Sequence, residues 1–328
     1  MHKTALLFPG QGAQFVGMGK ALAAARPEAE EIFARANDIL GVDLRAVAFE
    51  GPAEELTKTS WCQPAIFTHS LAALAILTRE FPDLRYGACA GLSLGEFTAL
   101  TAAGVLGFED GLKTVHRRGA LMQVACESSR GAMAAVMGAD LALVETVCHE
   151  MDVQIANLNG GGQIVISGDR EKMEKAVVLV RERGARKATL LQVAGAYHSK
   201  LMKPAADELA TWLGPLELKK SDISVIANVT AHPHEFDLIK DRLVEQVTGT
   251  VRWEESVRYL VAAGFKHFIE AGPGEVLAGL MKRIDPTAKI VSFGKPEDFA
   301  AIAVYIMSAG SSYHTAEMFL IDGAYSIF

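Results

Sequence analysis

Cysteine is scarce in this sequence: four occur among 328 residues, and no two of them form a C-x-x-C pair. The metal-binding pattern H-E-x-x-H is also missing. We therefore expect neither a metal site nor a disulfide framework. The four cysteines are instead typical of small, buried apolar residues in a reducing compartment.

Positive charge and long apolar runs are also in short supply. The formal net charge is −7, which argues against nucleic acid as a partner. No uncharged apolar stretch is long enough to span a membrane, and residues 1–3 do not begin a signal peptide. We expect a cytoplasmic enzyme with no membrane partner. Its 50% of hydrophobic residues suffices for one large core and a smaller lobe.

A nucleotide-binding loop is the third feature that the sequence lacks. Gly10-Gln11-Gly12 follows an apolar strand candidate, but Phe15 occupies the place of the third glycine in G-x-G-x-x-G. No G-x-x-x-x-G-K-[ST] is present either. We interpret this turn as a source of backbone N–H groups which, with Gln11, form half of an oxyanion hole.

The most informative feature that is present is the pentapeptide Gly91-Leu92-Ser93-Leu94-Gly95. A short apolar run precedes it and a helix-forming stretch follows it, which is the setting of a nucleophile elbow. The glycines permit a tight turn that presents Ser93, and the N–H of Leu94 opens the helix, where it can stabilise an oxyanion. The alternative is a Gly-Ser turn that only joins a strand to a helix.

Further segments accompany the elbow in a definite order along the chain. They are Phe8-Pro9-Gly10-Gln11-Gly12, Arg117-Arg118-Gly119-Ala120-Leu121-Met122-Gln123, Ala156-Asn157-Leu158-Asn159, Gly195-Ala196-Tyr197-His198-Ser199, Glu245-Gln246 and Glu270-Ala271-Gly272-Pro273-Gly274. Together with the elbow they resemble the acyl-carrier-protein S-malonyltransferase family (malonyl-CoA:ACP transacylases) over about residues 4–293. Several motifs in the right order make this resemblance more specific than any single pattern.

The resemblance implies a role for five side chains. Ser93 would be the nucleophile, His198 its base, and Gln246 the source of a neutral oxygen that orients the imidazole. Arg118 would bind the malonyl carboxylate, for which a planar and permanently charged guanidinium is well suited. Asn159 would line the substrate site.

Each assignment outside the elbow has a structural alternative. His198 follows the apolar run 189–193, where an open α/β sheet would place a site, but a lone histidine is often structural. Arg118 is otherwise an exposed helix arginine, which is what we expect of Arg117. Asn157 and Asn159 share a face of a predicted strand, where they either line the cleft or hydrogen-bond a turn.

The alternation of strand-like and helix-like segments predicts an α/β fold. We expect an α/β-hydrolase-like large lobe with a parallel sheet, residues 1–127 and 195–294. Residues 128–194 follow the order β-α-β-β-α-β and predict an inserted ferredoxin-like small lobe. Because Ser93 and Arg118 precede the insertion and His198 follows it, the site is expected in the cleft between the lobes.

Three features depart from the family pattern. Leu92 stands where the family often has histidine. Thr250 stands where proline often precedes a V-x-W segment, and we expect this replacement of proline to loosen the loop that carries Gln246. The tail, residues 295–328, departs as well: about residues 297–328 resemble instead the C-terminal end of short-chain dehydrogenases. They predict an appended helix and a strand, Glu317-Met318-Phe319-Leu320-Ile321, without reductase activity, because the chain lacks a dinucleotide fingerprint.

The function that the resemblance implies is transfer of a malonyl group in fatty-acid biosynthesis. The donor would be malonyl-CoA, the acceptor the phosphopantetheine thiol of acyl carrier protein, and the intermediate a malonyl-serine, with no cofactor beyond these substrates. An acidic carrier needs only a local basic patch, for which six basic residues between 172 and 187 are a candidate, unless they form a solvated helix face. A serine thioesterase or esterase and a catalytically silent carrier-docking subunit remain open as alternatives.

Overall fold

The protein is described by a computed structural model over residues 4–311. Its strands are β1 (Thr4–Phe8), β2 (Ala88–Gly91), β3 (Gly131–Met137), β4 (Gln154–Gly160), β5 (Gln163–Asp169), β6 (Lys187–Leu190), β7 (Ser224–Ile226), β8 (His267–Ala271) and β9 (Lys289–Phe293). Its helices are α1 (Lys20–Ala25), α2 (Pro27–Leu40), α3 (Leu44–Glu50), α4 (Ala53–Thr57), α5 (Thr59–Glu80), α6 (Leu94–Ala102), α7 (Phe108–Glu127), α8 (Leu141–Met151), α9 (Arg170–Glu182), α10 (Lys203–Leu213), α11 (Ile239–Thr248), α12 (Trp253–Ala262), α13 (Val276–Ile284) and α14 (Phe299–Ser311). Short 3₁₀ turns cover Lys200–Met202, Phe236–Leu238 and Pro296–Asp298.

The large lobe is built on a parallel sheet with the strand order β7-β2-β1-β8-β9. Strand β1 is apolar and almost wholly buried because helices cover both faces of the sheet, as parallel sheets require. Phe8 at the end of β1 pairs with Gly91 at the end of β2. The turn after β1 and the elbow after β2 therefore lie side by side, at the carboxyl edge where open α/β sheets place their sites.

The small lobe is a four-stranded antiparallel sheet with the order β4-β5-β3-β6. Helices α8 and α9 connect its strands in the sequence β3-α8-β4-β5-α9-β6, which is the ferredoxin-like arrangement. Each helix begins at an aspartate whose carboxylate accepts backbone N–H groups, Asp140 for α8 and Asp169 for α9. The predicted fold class, a parallel α/β lobe with a small antiparallel one, is confirmed.

Strand β4 connects the small lobe to the segment that follows α11. The N–H of Leu158 donates to the carbonyl of Val251 at 2.9 Å, and the N–H of Val251 donates to the carbonyl of Ala156 at 2.8 Å. The hydroxyl of Thr250 donates to the carbonyl of Ile155 at 2.7 Å. The expectation that Thr250 loosens this loop is therefore wrong, because its hydroxyl joins the loop to the neighbouring lobe.

Helix α14 covers the β9 side of the large lobe. Ile302 is fully buried, and Phe299 stacks on Phe81 with ring centroids 5.8 Å apart. The hydroxyl of Tyr305 donates to the carbonyl of Lys289 at 2.6 Å and accepts the N–H of Phe268 at 3.0 Å. The helix predicted for the tail is thus present and packed, whereas the predicted strand 317–321 lies outside the described residues.

Cysteine pairing and membrane-spanning helices are two features that the sequence leads us not to expect. The four cysteines are buried and unpaired. Between residues 4 and 311, no helix combines the length and the apolar character that crossing a membrane requires.

Candidate active site

Ser93 lies at the turn between β2 and α6, and its backbone has a conformation that residues other than glycine rarely adopt. Its φ is 54°, in the left-handed region. A Cβ on Gly91 would lie 1.9 Å from the carbonyl carbon of Gly95, and a Cβ on Gly95 would lie 2.1 Å from the carbonyl oxygen of Phe8. Glycine is therefore required on both sides of the serine, which is the physical meaning of the G-x-S-x-G spacing here.

His198 lies against the serine hydroxyl. Its Nε2 is 2.9 Å from Ser93 Oγ, and its Nδ1 is 2.8 Å from the main-chain carbonyl oxygen of Gln246. A carbonyl oxygen only accepts, so Nδ1 carries the proton and Nε2 offers a lone pair to the hydroxyl. Burial, with the positive charge of Arg118, lowers the pKa of His198 to about 4. The imidazole is therefore neutral near pH 7, the state that a general base needs.

Packing, rather than a strand end, positions His198. The expectation that it follows a strand of the open parallel sheet is wrong, because β6 is an edge strand of the antiparallel small lobe and ends at Leu190. The segment before His198 is held by Tyr197, whose hydroxyl lies 2.6 Å from Thr59 Oγ1. A Cβ on Gly131 would lie 2.5 Å from the nitrogen of Ala196, so the small lobe touches this segment directly.

Arg118 places a positive charge beside the nucleophile. It projects from α7, is 1% exposed, and its Nη2 lies 3.1 Å from Ser93 Oγ. Nη1 donates to Gln63 Oε1 and Nη2 also donates to Gln246 Oε1, each at 2.8 Å. Nε is buried without an acceptor among the described residues. This guanidinium therefore has one buried donor that the described residues leave unpaired, and an anionic group is the acceptor that would complete its hydrogen bonding.

Arg117 and Arg118 have different environments although they are neighbours in sequence. The Arg117 side chain is 45% exposed and faces Glu208 at 3.6 Å. Burial lowers the pKa of Arg118 to about 10, an effect that the negative charge of Glu96 opposes, so the guanidinium stays charged near pH 7. The alternative of an exposed helix arginine thus describes Arg117 and not Arg118.

The residues expected to form an oxyanion hole flank the serine. A Cβ on Gly10 would lie 2.3 Å from the carbonyl oxygen of Leu92, so the turn that carries Gln11 packs directly against the elbow. The backbone N–H groups of Gln11 and Leu94 have no acceptor within the described part of the chain. Two unused donors beside a serine are what stabilisation of a tetrahedral oxyanion requires.

Gln246 contributes through its main chain and its side chain in different ways. Its carbonyl oxygen orients His198, as described above, whereas its side-chain Oε1 accepts from Arg118. Its Nε2 donates to the carbonyl oxygen of Ser93 at 2.8 Å and to Glu96 Oε2 at 2.6 Å. The neutral oxygen expected beside the imidazole is therefore a backbone carbonyl.

Asn228 is a site residue that the sequence reasoning missed. Its Oδ1 accepts the N–H of Ser93 at 2.7 Å, and its Nδ2 donates to the carbonyl of Gly91 at 2.7 Å. Both contacts fix the backbone of the elbow. Asn228 comes just after β7, the neighbour of β2, so a search for polar residues beyond the carboxyl ends of parallel strands would have found it.

Asn159 is not joined to the other candidates by a hydrogen bond. Its Oδ1 is buried and has no partner among the described residues, at a point where the register of β4 shifts between Leu158 and Gly160. The substrate-binding role of Asn159 stays a prediction. Leu92 is half-buried against the apolar cluster behind the parallel sheet, so an apolar side chain fits the place where the family often has histidine.

The described residues contain no cluster of three or more histidine, cysteine, aspartate or glutamate side chains suited to a metal. Two members of the predicted basic patch are neutralised locally. Lys172 lies 2.6 Å from Asp152, and Arg183 lies 2.7 Å from Glu150. This pairing favours the solvated-face interpretation for that segment.

The geometry describes a serine acyl-transfer site. Comparison with known proteins agrees: residues 5–296 match the family model described as an acyl transferase domain. The malonyl CoA-acyl carrier protein transacylase of Bacillus subtilis is 45% identical over 305 residues, which cover 90% of this chain and 95% of the relative. The crystal structure of an acyl-carrier-protein S-malonyltransferase from Bartonella henselae aligns with a TM-score of 0.89 at 38% identity, covering 94% of this chain and all of that one.

A further structure contains a malonyl-transacylase in complex with a type II PKS acyl-carrier protein. It aligns with a TM-score of 0.88 at 38% identity and covers 92% of this chain and 98% of that one. The identities and the coverage both exceed what a shared fold alone would produce. The chain therefore belongs to the acyltransferase family that includes the malonyl CoA-acyl carrier protein transacylases.

Proposed function

We propose that the protein transfers a malonyl group from malonyl-CoA to the phosphopantetheine thiol of an acyl carrier protein, in cytoplasmic fatty-acid biosynthesis. The observation that carries the proposal is the buried, charged Arg118 with its Nη2 3.1 Å from Ser93 Oγ. A carboxylate separated from the thioester carbonyl by one methylene group is short enough to reach the guanidinium while its carbonyl faces the serine. An uncharged acyl group would leave Arg118 buried without an anionic partner.

The first half-reaction forms the malonyl-serine. Ser93 Oγ attacks the thioester carbonyl carbon as His198 Nε2 takes the hydroxyl proton. The N–H groups of Gln11 and Leu94 stabilise the negative oxygen that forms. The C–S bond then breaks, and the coenzyme A sulfur leaves with the proton that His198 returns. The main-chain oxygen of Gln246 holds the imidazole in the required tautomer throughout.

The second half-reaction reverses the first with a new thiol. The phosphopantetheine thiol gives its proton to His198 and attacks the malonyl-serine carbonyl carbon. The C–O bond to Ser93 breaks, the serine oxygen recovers the proton, and malonyl carrier protein leaves. A carbonyl orients the imidazole here, and it stabilises a positive imidazolium less than an aspartate would. Thioester exchange tolerates this because its acyl group is already activated and a thiolate is a good leaving group.

The test is intact-protein mass spectrometry after incubation with malonyl-CoA, followed by addition of phosphopantetheinylated carrier protein. We expect a malonyl adduct on Ser93 that disappears as malonyl carrier protein forms, together with ping-pong kinetics. Release of mostly free malonate would instead identify a thioesterase. Strictly sequential kinetics without an adduct would contradict the serine mechanism.

A further inference from the structure

Glu96 is a buried carboxylate that the reaction described above does not use. It lies in the first turn of α6, is 0% exposed, and shares its two oxygens between different partners. Oε2 accepts from Gln246 Nε2 at 2.6 Å and from the N–H of Asn228 at 3.2 Å. Oε1 lies 2.7 Å from Nε2 of His234, whose side chain is 3% exposed. Burial of a charge is costly, so a completely enclosed carboxylate indicates that its contacts serve a purpose.

The contacts form a continuous buried chain from His234 to the nucleophile. His234 contacts Glu96, Glu96 accepts from the side-chain amide of Gln246, and the other end of that amide accepts from Arg118. Arg118 in turn donates to Ser93 Oγ. The amide of Gln246 therefore lies between a negative and a positive side chain. Its donor Nε2 faces Glu96, and its acceptor Oε1 faces Arg118.

We propose that Glu96 is a positioning residue for acyl-group selection, which holds the Gln246 amide in the one orientation that keeps Arg118 in place for a carboxylate. This inference rests on the proposed function. A flipped amide would direct Nε2 at the Arg118 guanidinium, where two donors would face each other. It would also direct Oε1 at the Ser93 carbonyl and the Glu96 carboxylate, where acceptors would face each other. With Glu96 present, only one amide orientation satisfies these partners.

Removing Glu96 should therefore act on malonyl more than on acetyl transfer. Once the carboxylate is gone, Gln246 Nε2 keeps the Ser93 carbonyl at 2.8 Å but loses its shorter and charged acceptor, so the amide that holds Arg118 is less firmly fixed and Arg118 loses a compensating charge. Acetyl-CoA has no carboxylate for Arg118 to bind, so its transfer depends on Ser93 and His198 rather than on the position of the guanidinium. A general loss of structure would instead lower both transfers together.

The experiment compares kcat/KM for malonyl-CoA and acetyl-CoA in Glu96→Ala and Glu96→Gln, with the full chain. We expect Glu96→Ala to lower the malonyl-to-acetyl ratio about 10- to 100-fold, as loss of a hydrogen bond to a charged group does. Glu96→Gln should restore the ratio to within about threefold of the original protein, because its amide oxygen still accepts from Gln246 Nε2.

Glu270→Ala is the matched control. Glu270 is also a 0%-exposed glutamate, but its oxygens accept the N–H groups of Leu277 and Ala278 at the start of α13 and the hydroxyl of Ser292. Its loss should reduce stability without changing the malonyl-to-acetyl ratio. An equal change of the ratio in Glu96→Ala and Glu270→Ala would overturn the proposal, because it would show a general response to a lost buried carboxylate.

Gln246→Met tests the same series of contacts by removing the amide instead of the carboxylate. It keeps the proposal open to refutation if Glu96→Ala does not fold. It should lower the ratio as Glu96→Ala does, and the double variant should lower it no further, because both act through one amide. An unchanged ratio in Gln246→Met, or full additivity in the double variant, would overturn the proposal. If the unsubstituted protein forms no malonyl-serine, the proposed function fails instead, and the two failures are distinguishable.

Discussion

The two lobes use polar side chains in opposite ways. The large lobe buries polar groups at the carboxyl edge of its sheet, and four of them are 1% exposed or less: Glu96, Arg118, Asn228 and Gln246. In the described small lobe, the buried polar side chains are the uncharged Asn157 and Ser167, and the rest of its core is apolar. Its charged residues form exposed pairs such as Lys172 with Asp152.

This difference indicates where the molecule gives up stability for chemistry. A buried ion costs several kcal/mol to desolvate, and its partner recovers that only with good geometry and complete hydrogen bonding. The small lobe avoids the cost because it is stabilised by apolar packing. The large lobe accepts it at one edge, where a strained serine and a charged arginine lie in contact. Replacements in the large-lobe network should therefore change activity, and replacements in the apolar core of the small lobe should change stability alone.

The largest effect on acylation is expected from Ser93→Ala. Without Oγ no acyl-enzyme can form, so the malonyl adduct should be absent in intact-mass spectra and transfer should fall by about 10⁴-fold or more. Ser167→Ala is the matched control from the small lobe, because Ser167 is also a buried serine and its Oγ has no partner among the described residues. If Ser167→Ala also abolished the adduct, the comparison between the lobes would fail.

The next largest effect is expected from Arg118→Ala, and it should depend on the substrate. Loss of a charge-assisted contact should lower malonyl transfer by about 10- to 100-fold, while acetyl transfer should fall much less. Arg117→Ala should leave both rates unchanged, because its side chain is exposed and pairs with Glu208 at 3.6 Å. Equal losses for malonyl and acetyl in Arg118→Ala would mean that this arginine is structural.

The contacts of the site also show which of its parts could be predicted from the sequence. The elbow at Ser93 could be predicted because a strand, two glycines and a helix are local features. Glu96 lies within the same motif, yet its role was not predictable, because it depends on side chains more than a hundred residues away, His234 and Gln246. Asn228 could have been proposed from its place after a strand, but its contacts with Ser93 and Gly91 could not be predicted. Those contacts across the sheet edge are set by tertiary packing, which no local pattern encodes.

His198 illustrates a different limit of sequence reasoning. The residue could be named from its motif, and the run before it was assigned to the small lobe, but its position was also compared with the end of a strand of the open sheet. The strand before it belongs to the small lobe only, and the histidine reaches the serine through a loop in which its own φ is 56°. Likewise, the motif indicated Gln246 without indicating that its backbone oxygen, rather than its side chain, meets the imidazole.

A smaller effect is expected from the titration of His198. Its pKa is lowered to about 4, and a protonated imidazole cannot accept the serine proton, so kcat/KM for acetyl-CoA should be flat near pH 7 and fall only as the pH approaches about 4. Removing the positive charge in Arg118→Ala should move that fall to higher pH. A fall near pH 6.5 in the unsubstituted protein would contradict the burial of this histidine.

The same shift predicts how stability depends on pH. Between about pH 6.5 and 4 the unfolded chain binds a proton at His198 that the folded chain does not, so the free energy of unfolding should decrease as the pH falls through this range. Circular dichroism at each pH would separate this loss of folded protein from the loss of rate per folded molecule. A conservative His198→Gln replacement should weaken this component of the pH dependence.

The smallest effect on acylation is expected from a substitution in the core of the small lobe. Ile166 on β5 is fully buried among apolar side chains, and Ile166→Val should lower the free energy of unfolding by about 0.5–1.5 kcal/mol through the cavity it leaves. Because the side chains of this core are apolar and none is a candidate site residue, the acylation rate per folded molecule should stay the same. Chemical denaturation and single-turnover acylation, measured on the same preparation, check both halves. If the rate fell in step with stability, the small-lobe core would position His198 through the contact of Gly131 with Ala196. The conclusion that one lobe provides stability and the other chemistry would then have to be abandoned.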